Sequence, residues 1–372
     1  MQPQRWMLLP LAVVGLSVPG PAQEAAAPVT APAPAVAAAD LKQLDVVRFS
    51  GSPEEIGKQC GTQLAPRIRI MLNEYVGGDV DPATGKLEAK MLARIVKMKP
   101  SLPEWFRKEL SACAKAVGVD EDLLLYAQCE GDIKSLGGCT TYVAFGPATA
   151  DGKMEIGRNF DYWGLESVQA CCMVQTVVPR PEDGHAFVSA GWTGILGGWT
   201  FYNEKGLFVA NNLGGGTEKN PQGIPTLILE RIIAQKAATV DEALKIIRES
   251  PRMRGQALVI GQYGKDGKSR AVVVEYDGKE VLTVTEADRG FAFHSSIRFN
   301  SRNEIRQTLA DATRKPYGAI RAAGNLITFH SIAIHPEEQA IWIAHGTKPA
   351  WQGEYKKYDL ETLLKRPAKE RE

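Results

Sequence analysis

The chain of 372 residues is 44% hydrophobic and 23% charged, with a formal net charge of +1. That length and composition can bury a full-sized core in one large domain or two. A near-neutral balance without a long single-sign run excludes the electrostatic footprint of a nucleic-acid binder or of a protein held on a charged membrane surface.

Residues 1–22 have the layout of a secretory signal peptide: Arg5, an apolar run from Trp6 to Leu16, then Pro19-Gly20-Pro21-Ala22. The run is too short to span a bilayer, and Pro10 with the tract that follows leaves a buried helix nothing to pack on. Export to the periplasm or the extracellular space is expected, without stable membrane insertion. Residues 23–40 are an Ala/Pro-rich linker. Six cysteines in an exported chain are compatible with disulfides. Cys171 and Cys172 are adjacent on a predicted strand and point to opposite faces, and no bridge is assigned.

Order is expected from a short strand over 44–49. Ser52-Pro53-Glu54-Glu55 then starts a helix, with Ser52 as N-cap, Pro53 in the first turn and Glu55 closing a capping box. Gly57 and Gly61 lie four apart on this helix. Glycine there costs about 1 kcal/mol against alanine, so the pair predicts a close backbone approach to another element. Further helices are predicted over 87–98, over 104–117 with Gly118 as its stop, and over 121–130. The region 41–138 therefore reads as helical.

After Cys139 strands dominate, at 140–145, 154–158, 170–178, 186–190, 206–211, 257–263, 271–276, 281–286, 331–335 and 340–345. Asp266-Gly267 and Asp277-Gly278 supply hairpin turns. Helices over 225–236 and 240–249 interrupt, the second opened by a Thr239/Glu242 capping box. Many antiparallel strands with few inserted helices make 139–372 an α+β layered sandwich rather than a doubly wound parallel sheet.

The stretch from Gly137 to Trp163 carries the chemistry. It reads as two strands joined at Asp151-Gly152, a pair that tolerates φ > 0. Folding it brings Cys139 beside Arg158 and Asp161, so that a thiol, a guanidinium and a carboxylate share one rim. A lone cysteine most often packs as a small apolar side chain. Here Gly137-Gly138 precedes it as an accessible, conformationally free bond. Breaking Gly138–Cys139 would put a thiol and an α-amine on one residue, with reference pKa values of about 8.5 and 7.7–8.0. Such an amine can act as general base for the thiol without a histidine. Arg158 would favour the thiolate, and Asp161 would orient the amine.

Gly-Cys-Thr-Thr followed by Gly-Arg-Asn-Phe-Asp-Tyr resembles the N-terminal-nucleophile (Ntn) hydrolases of the choloylglycine hydrolase and acyl-CoA:isopenicillin N acyltransferase group. Three more stretches resemble the acyltransferase-like branch: Phe49 to Gly61, Tyr202 to Leu207 continuing to Asn211-Asn212, and His330-Ser331 through Pro336 to Gly346. The resemblance implies a four-layer αββα sandwich, self-cleavage before Cys139, and association of the two resulting fragments. It also implies attack on a linear amide C–N bond through a thioester, with water or another acceptor taking the acyl group. The substrate would be a small-molecule amide or N-acyl compound, and no cofactor is expected.

Arg158 and Asp161 match the group's residues in this hairpin, and Asn212 matches an asparagine that assists the oxyanion or the substrate. The group's second asparagine, in a Thr-Asn motif, is missing from the segment Phe291 to Arg302, where His294 or Asn300 takes its place. Arg302 matches a family arginine. Trp163, Trp192, Trp199, Phe201 and Tyr202 are read as core first and acyl-pocket lining second. His330, His335 and His345 alternate with apolar residues, and edge-facing polar positions explain them better than a metal site does. The competing reading is a non-catalytic secreted binding or structural relative of the same fold. Oligomeric state is left open.

Overall fold

The computed structural model describes residues 46–134, 138–163, 166–265, 267–296 and 301–366. The stretches read as signal peptide and linker lie outside the described residues, as do Gly137, Asp266 and Asn300.

The chain opens with strand β1 (Val47–Gly51) and helices α1 (Pro53–Val76), α2 (Ala89–Met98), α3 (Glu104–Val117), α4 (Glu121–Ala127) and α5 (Glu130–Lys134). Then come β2 (Gly138–Ala144), β3 (Glu155–Asp161), β4 (Cys172–Pro179), β5 (Phe187–Trp192), β6 (Thr200–Asn203) and β7 (Leu207–Asn212). Helices α6 (Thr226–Lys236) and α7 (Val240–Glu249) precede β8 (Gln256–Gln262), β9 (Arg270–Tyr276), β10 (Val281–Glu286) and β11 (Phe291–Ser295). The last elements are α8 (Ser301–Leu309), α9 (Gly318–Ala322), β12 (Thr328–His335), β13 (Ala340–His345), β14 (Lys356–Asp359) and α10 (Leu360–Leu364).

Two sheets carry the architecture. One has eight strands in the order β1-β4-β5-β6-β7-β8-β9-β10, and the other has six in the order β11-β2-β3-β12-β13-β14. All pairings are antiparallel except β1 with β4. Val143, Ile156, Ile332 and Ile343 of the six-stranded sheet pack against Val174, Val188, Phe208 and Val259 of the eight-stranded one. Alternation sends the next residue of each strand outward. Tyr142, Ala333 and Phe291 thus meet Ile305, Leu309 and Ile320 of α8 and α9. On the other side, Phe201, Leu258 and Val272 join the core of α6, α7 and the N-terminal helices. The layers run helix, sheet, sheet, helix, as an αββα sandwich.

The N-terminal region is tied into this body. Ser52 accepts from Glu55 N while the Glu55 side chain accepts from Ser52 N, completing the capping box at the start of α1. Gly57 and Gly61 let α1 lie directly on α3: a Cβ at Gly57 would sit 2.0 Å from Glu109 O, and one at Gly61 2.6 Å from Cys113 O. The short strand expected over 44–49 is β1, which adds an edge strand to the eight-stranded sheet.

Several expectations need correction. The helix read over 121–130 is two pieces, α4 and α5, broken at Gln128 and Cys129. Strands β6, β11 and β14 and helices α8, α9 and α10 come in addition to the predicted elements. Each is nine residues or shorter, a length at which sheet pairing and packing decide the conformation more than local pattern does. The three histidines are not at edges. β12 lies inside the six-stranded sheet, and His330, His335 and His345 are all buried.

Gly57→Ala should lower unfolding free energy by about 1–3 kcal/mol, because the new methyl meets a backbone carbonyl that cannot swing away. Urea denaturation measures this; unchanged or raised stability would show that the two helices do not approach so closely.

Candidate active site

The β2–β3 pairing sets the geometry. Its register places Gly138 opposite Asp161, Cys139 opposite Phe160 and Thr141 opposite Arg158. Residues 139, 141 and 143 of β2 and 156, 158 and 160 of β3 therefore face the second sheet. β11 pairs on the other side of β2 with His294 opposite Thr141, which puts His294 on that same face. Cys139 sits where this face opens into a cavity of about 40 Å³. Asp161, Asn212, Phe160, Trp199 and Asp132 also line it.

Arg158 is fully buried. Its Nη1 donates to Thr141 Oγ1 at 3.0 Å and to Asn212 Oδ1 at 3.3 Å, its Nη2 to Asn211 Oδ1 at 3.5 Å and its Nε to Thr200 Oγ1 at 3.3 Å. The guanidinium carbon lies 5.8 Å from the centroid of the Phe160 ring. The described contacts include no carboxylate on Arg158. A buried acid does stand in its neighbourhood: Glu230, whose two carboxyl oxygens have no hydrogen-bond partner among the described residues. Burial raises the Glu230 carboxyl well above its ordinary range, with Arg158 opposing the shift.

Cys139 is held on both sides of its peptide unit by Ser296, a residue the sequence did not mark. Cys139 N donates to Ser296 Oγ at 2.9 Å, and Cys139 O accepts from Ser296 N at 3.0 Å. Next to it, Thr140 Oγ1 and Ser295 Oγ share a hydrogen bond of 2.9 Å. Burial pushes the Cys139 thiol up to about 11, against the pull of Arg158 and with help from the Asp161 charge. Burial thus outweighs the thiolate-favouring effect expected of Arg158. The Gly138–Cys139 bond is not accessible as its sequence implied: Gly138 is buried within β2 and paired across to Asp161.

Asp161 Oδ1 accepts from Thr328 Oγ1 at 2.6 Å. Asn212 lies against Thr141, its Nδ2 donating to Thr141 Oγ1 at 3.1 Å, while its Oδ1 serves Arg158. His294 is part-buried against Gly214, where an added Cβ would come within 3.3 Å of His294 Nε2. Burial lowers its pKa, and its Nδ1 lacks a partner among the described residues. Arg302 stands apart from the cavity, its guanidinium 5.4 Å above Phe291 and 5.8 Å above Phe293, on the outer face of the sheet.

The aromatic set divides. Trp199 lines the cavity, Trp192, Phe201 and Tyr202 are buried, and Trp163 is 62% exposed. His330 stacks on Phe160 at 5.0 Å and bonds Thr200 through its Nε2 at 3.1 Å. Burial holds its pKa well below the usual value, with Arg158 adding to the effect.

Asp132, six residues before Gly138 in sequence, also escaped notice because no motif marks it. Its Oδ2 accepts from Thr226 N at 2.7 Å and its Oδ1 from Thr226 Oγ1 at 2.6 Å, fixing α5 to the start of α6. Gln128 is a second one. Its Oε1 accepts from Leu196 N at 2.8 Å and Gly197 N at 3.1 Å, and it also lines the cavity.

Several known proteins are similar to this chain. Residues 148–294, from the β2–β3 connection into β11, match the family model described as acyl-coenzyme A:6-aminopenicillanic acid acyl-transferase. An uncharacterized protein of Archaeoglobus fulgidus is 24% identical over 258 residues; the alignment covers 60% of this chain and 42% of that protein's length. Among solved structures, the Caenorhabditis elegans ortholog of N-acylethanolamine-hydrolyzing acid amidase is similar at 16% identity and a TM-score of 0.41, over 53% of this chain and 93% of that one. Penicillin V acylase from Agrobacterium tumefaciens is similar at 13% identity and a TM-score of 0.39, over 61% and 88%. A mutant of the conjugated bile acid hydrolase from Clostridium perfringens gives 13% and 0.38, over 62% and 95%. The family match runs from the β2–β3 connection through β3 to β11 of this two-sheet αββα sandwich, so it takes in Arg158, Asp161, Asn212 and His294 but not Cys139.

Proposed function

We propose that the protein is an exported, self-processing cysteine amidohydrolase that cleaves a linear amide C–N bond after cutting itself at Gly138–Cys139. The observation that carries this reading is the setting of Cys139: its thiol lines a cavity with Asp161 and Asn212, while Ser296 holds both its N–H and its C=O. Any buried amide needs an acceptor; what favours a chemical role over plain packing is the buried guanidinium of Arg158 acting on the thiol.

In the first step Cys139 Sγ attacks the carbonyl carbon of Gly138. The C–N bond breaks, a thioester links Gly138 to Sγ, and the nitrogen leaves as the Cys139 α-amine. Water then hydrolyses the thioester and frees the Gly138 carboxylate. Ser296 Oγ, already within 2.9 Å of that nitrogen, remains to hold the amine. In turnover the amine takes the thiol proton and Sγ attacks the substrate carbonyl. The amine portion leaves, and water resolves the acyl thioester to a free acid. In this reading Asn212 stabilises the developing oxyanion, and Arg158 holds its amide by donating to Oδ1. Water is the default acceptor outside a cell, which favours hydrolysis over transfer.

The two fragments would remain together. Arg231 Nη2 meets Glu109 Oε2 at 3.0 Å in a fully buried ion pair that joins the two sides of the cut, and its guanidinium also lies 4.5 Å over Phe187. The β1–β4 pairing and the Asp132–Thr226 hydrogen bonds join the same two sides.

Cys139→Ala should abolish both cutting and turnover, and Ser296→Ala should slow cutting at least severalfold; intact mass and N-terminal sequencing read both. A Cys139→Ala chain that still separates into two fragments refutes the nucleophile. Cutting requires a thiol whose pKa is raised to about 11, so its rate should climb roughly tenfold per pH unit from pH 7 to about 10. Turnover, with an α-amine as base, should level off near pH 8. A cutting rate that also levels off near pH 8 would contradict the assignment. Glu109→Ala leaves Arg231 buried and unpaired and should destabilise the chain by about 3–5 kcal/mol in urea titration; a loss under about 1 kcal/mol would remove this pair from the account of fragment association.

A further inference from the structure

A second cavity, of about 270 Å³, lies beside the Cys139 cavity and is far larger. Asp132 lines both, so one side chain stands in the wall between them. Ile95 and Met98 of α2, Ile133 of α5 and Met253 give the second cavity an apolar lining. Arg94, Lys97, Lys219 and Arg254 complete it with positive charge.

The cationic groups are unequal in role. Arg254 is fixed by donating from Nη1 to Gly131 O at 3.1 Å and from Nε to Gly255 O at 3.2 Å. Arg94, Lys97 and Lys219 are exposed and make no ion pair among the described residues. Asp132 is the one carboxylate in the lining, and both its oxygens are engaged by Thr226. Several like charges around an apolar hollow, with no acid free to answer them, are complementary to a ligand that brings an anion and an apolar chain together. A bare anion would leave the apolar lining wet, and a neutral chain would leave the cations unanswered.

We infer that this cavity binds a monocarboxylate with a medium-length apolar chain, its chain against Ile95, Met98 and Met253 and its head among Arg94, Lys97 and Lys219. The source of such an acid rests on the amidohydrolase reading, since hydrolysis of an acyl thioester on Cys139 releases a carboxylic acid on the other side of Asp132. The site itself does not depend on that chemistry.

Calorimetric titration of decanoate into the full chain carrying Cys139→Ala tests the site without self-cleavage. One decanoate should bind per chain, with affinity falling as salt is raised. Arg94→Glu combined with Lys219→Glu should weaken it roughly tenfold or more, as should replacing decanoate by uncharged decanol or by tail-less acetate. Both side chains are exposed, so the thermal midpoint of the double variant should match that of its parent, and the salt series needs no substitution at all. No saturable binding, indifference to both salt and charge reversal, or equal binding of decanol or acetate would overturn the inference. Failure of the wild-type chain to cut itself would instead count against the amidohydrolase reading and leave the titration result intact.

Discussion

Arg158 is a positive charge buried between two sheets. A guanidinium stays protonated at any pH the protein meets, and it offers donors only. Whatever surrounds it must therefore present oxygen acceptors or an aromatic face. Thr141 of β2, Asn211 and Asn212 of β7 and Thr200 of β6 do so, and the Phe160 ring covers part of one side. Those residues come from both sheets, so one buried cation fixes how the sheets meet at this end. The requirement passes outward. Thr200 Oγ1 accepts from Arg158 and shares a hydrogen bond with His330 Nε2, and burial together with Arg158 holds the His330 pKa well below its usual value.

Cys139 inherits its character from the same arrangement. It is two residues before Thr141 and hence on the same face, at the point where the apolar inter-sheet core gives way to polar side chains. Burial and the guanidinium act on the thiol in opposite directions, and burial prevails. The balance is held by an amide nitrogen that cannot accept a proton. The proposed cut would turn that nitrogen into an amine and so add a base on the same residue.

Much of this was legible in the sequence because it rests on local rules. Ser52-Pro53-Glu54-Glu55 encodes a helix start through its own side chains, and Gly57 with Gly61 encodes a contact through what they lack. The hairpin from Cys139 to Asp161 follows from two short alternating runs around Asp151-Gly152. Features set by distant partners were not legible. Phe291-Ala292-Phe293-His294-Ser295 alternates too briefly to stand out, and it becomes a strand by pairing with β2, which is what delivers Ser296 to Cys139. Gly138 looked free because two glycines in sequence are flexible; in the fold, Asp161 pairs with it across the hairpin. The buried histidines misled for a similar reason, since only the sheet order shows that β12 is flanked on both sides.

The placement of polar ties across the proposed cut has its own logic. Glu109 with Arg231, Asp132 with Thr226, and β1 with β4 all join the region before Cys139 to the region after it. Cutting one peptide bond removes none of them, so two chains would hold one fold. The tie nearest the cut differs from the others. Asp132 lies on the five-residue helix α5, immediately before the stretch leading to Gly138, and α5 is held further by Tyr162 donating to Glu130 Oε2 at 3.0 Å and by Arg254 donating to Gly131 O at 3.1 Å. Glu109, by contrast, is packed within the long α1–α3 pair. A new chain end at Gly138 would leave α5 joined to α4 by the chain and to the rest of the fold by these contacts. The segment that would end at the proposed cut is thus pinned by side chains from the other side of it, and it carries the wall between the Cys139 cavity and its larger neighbour.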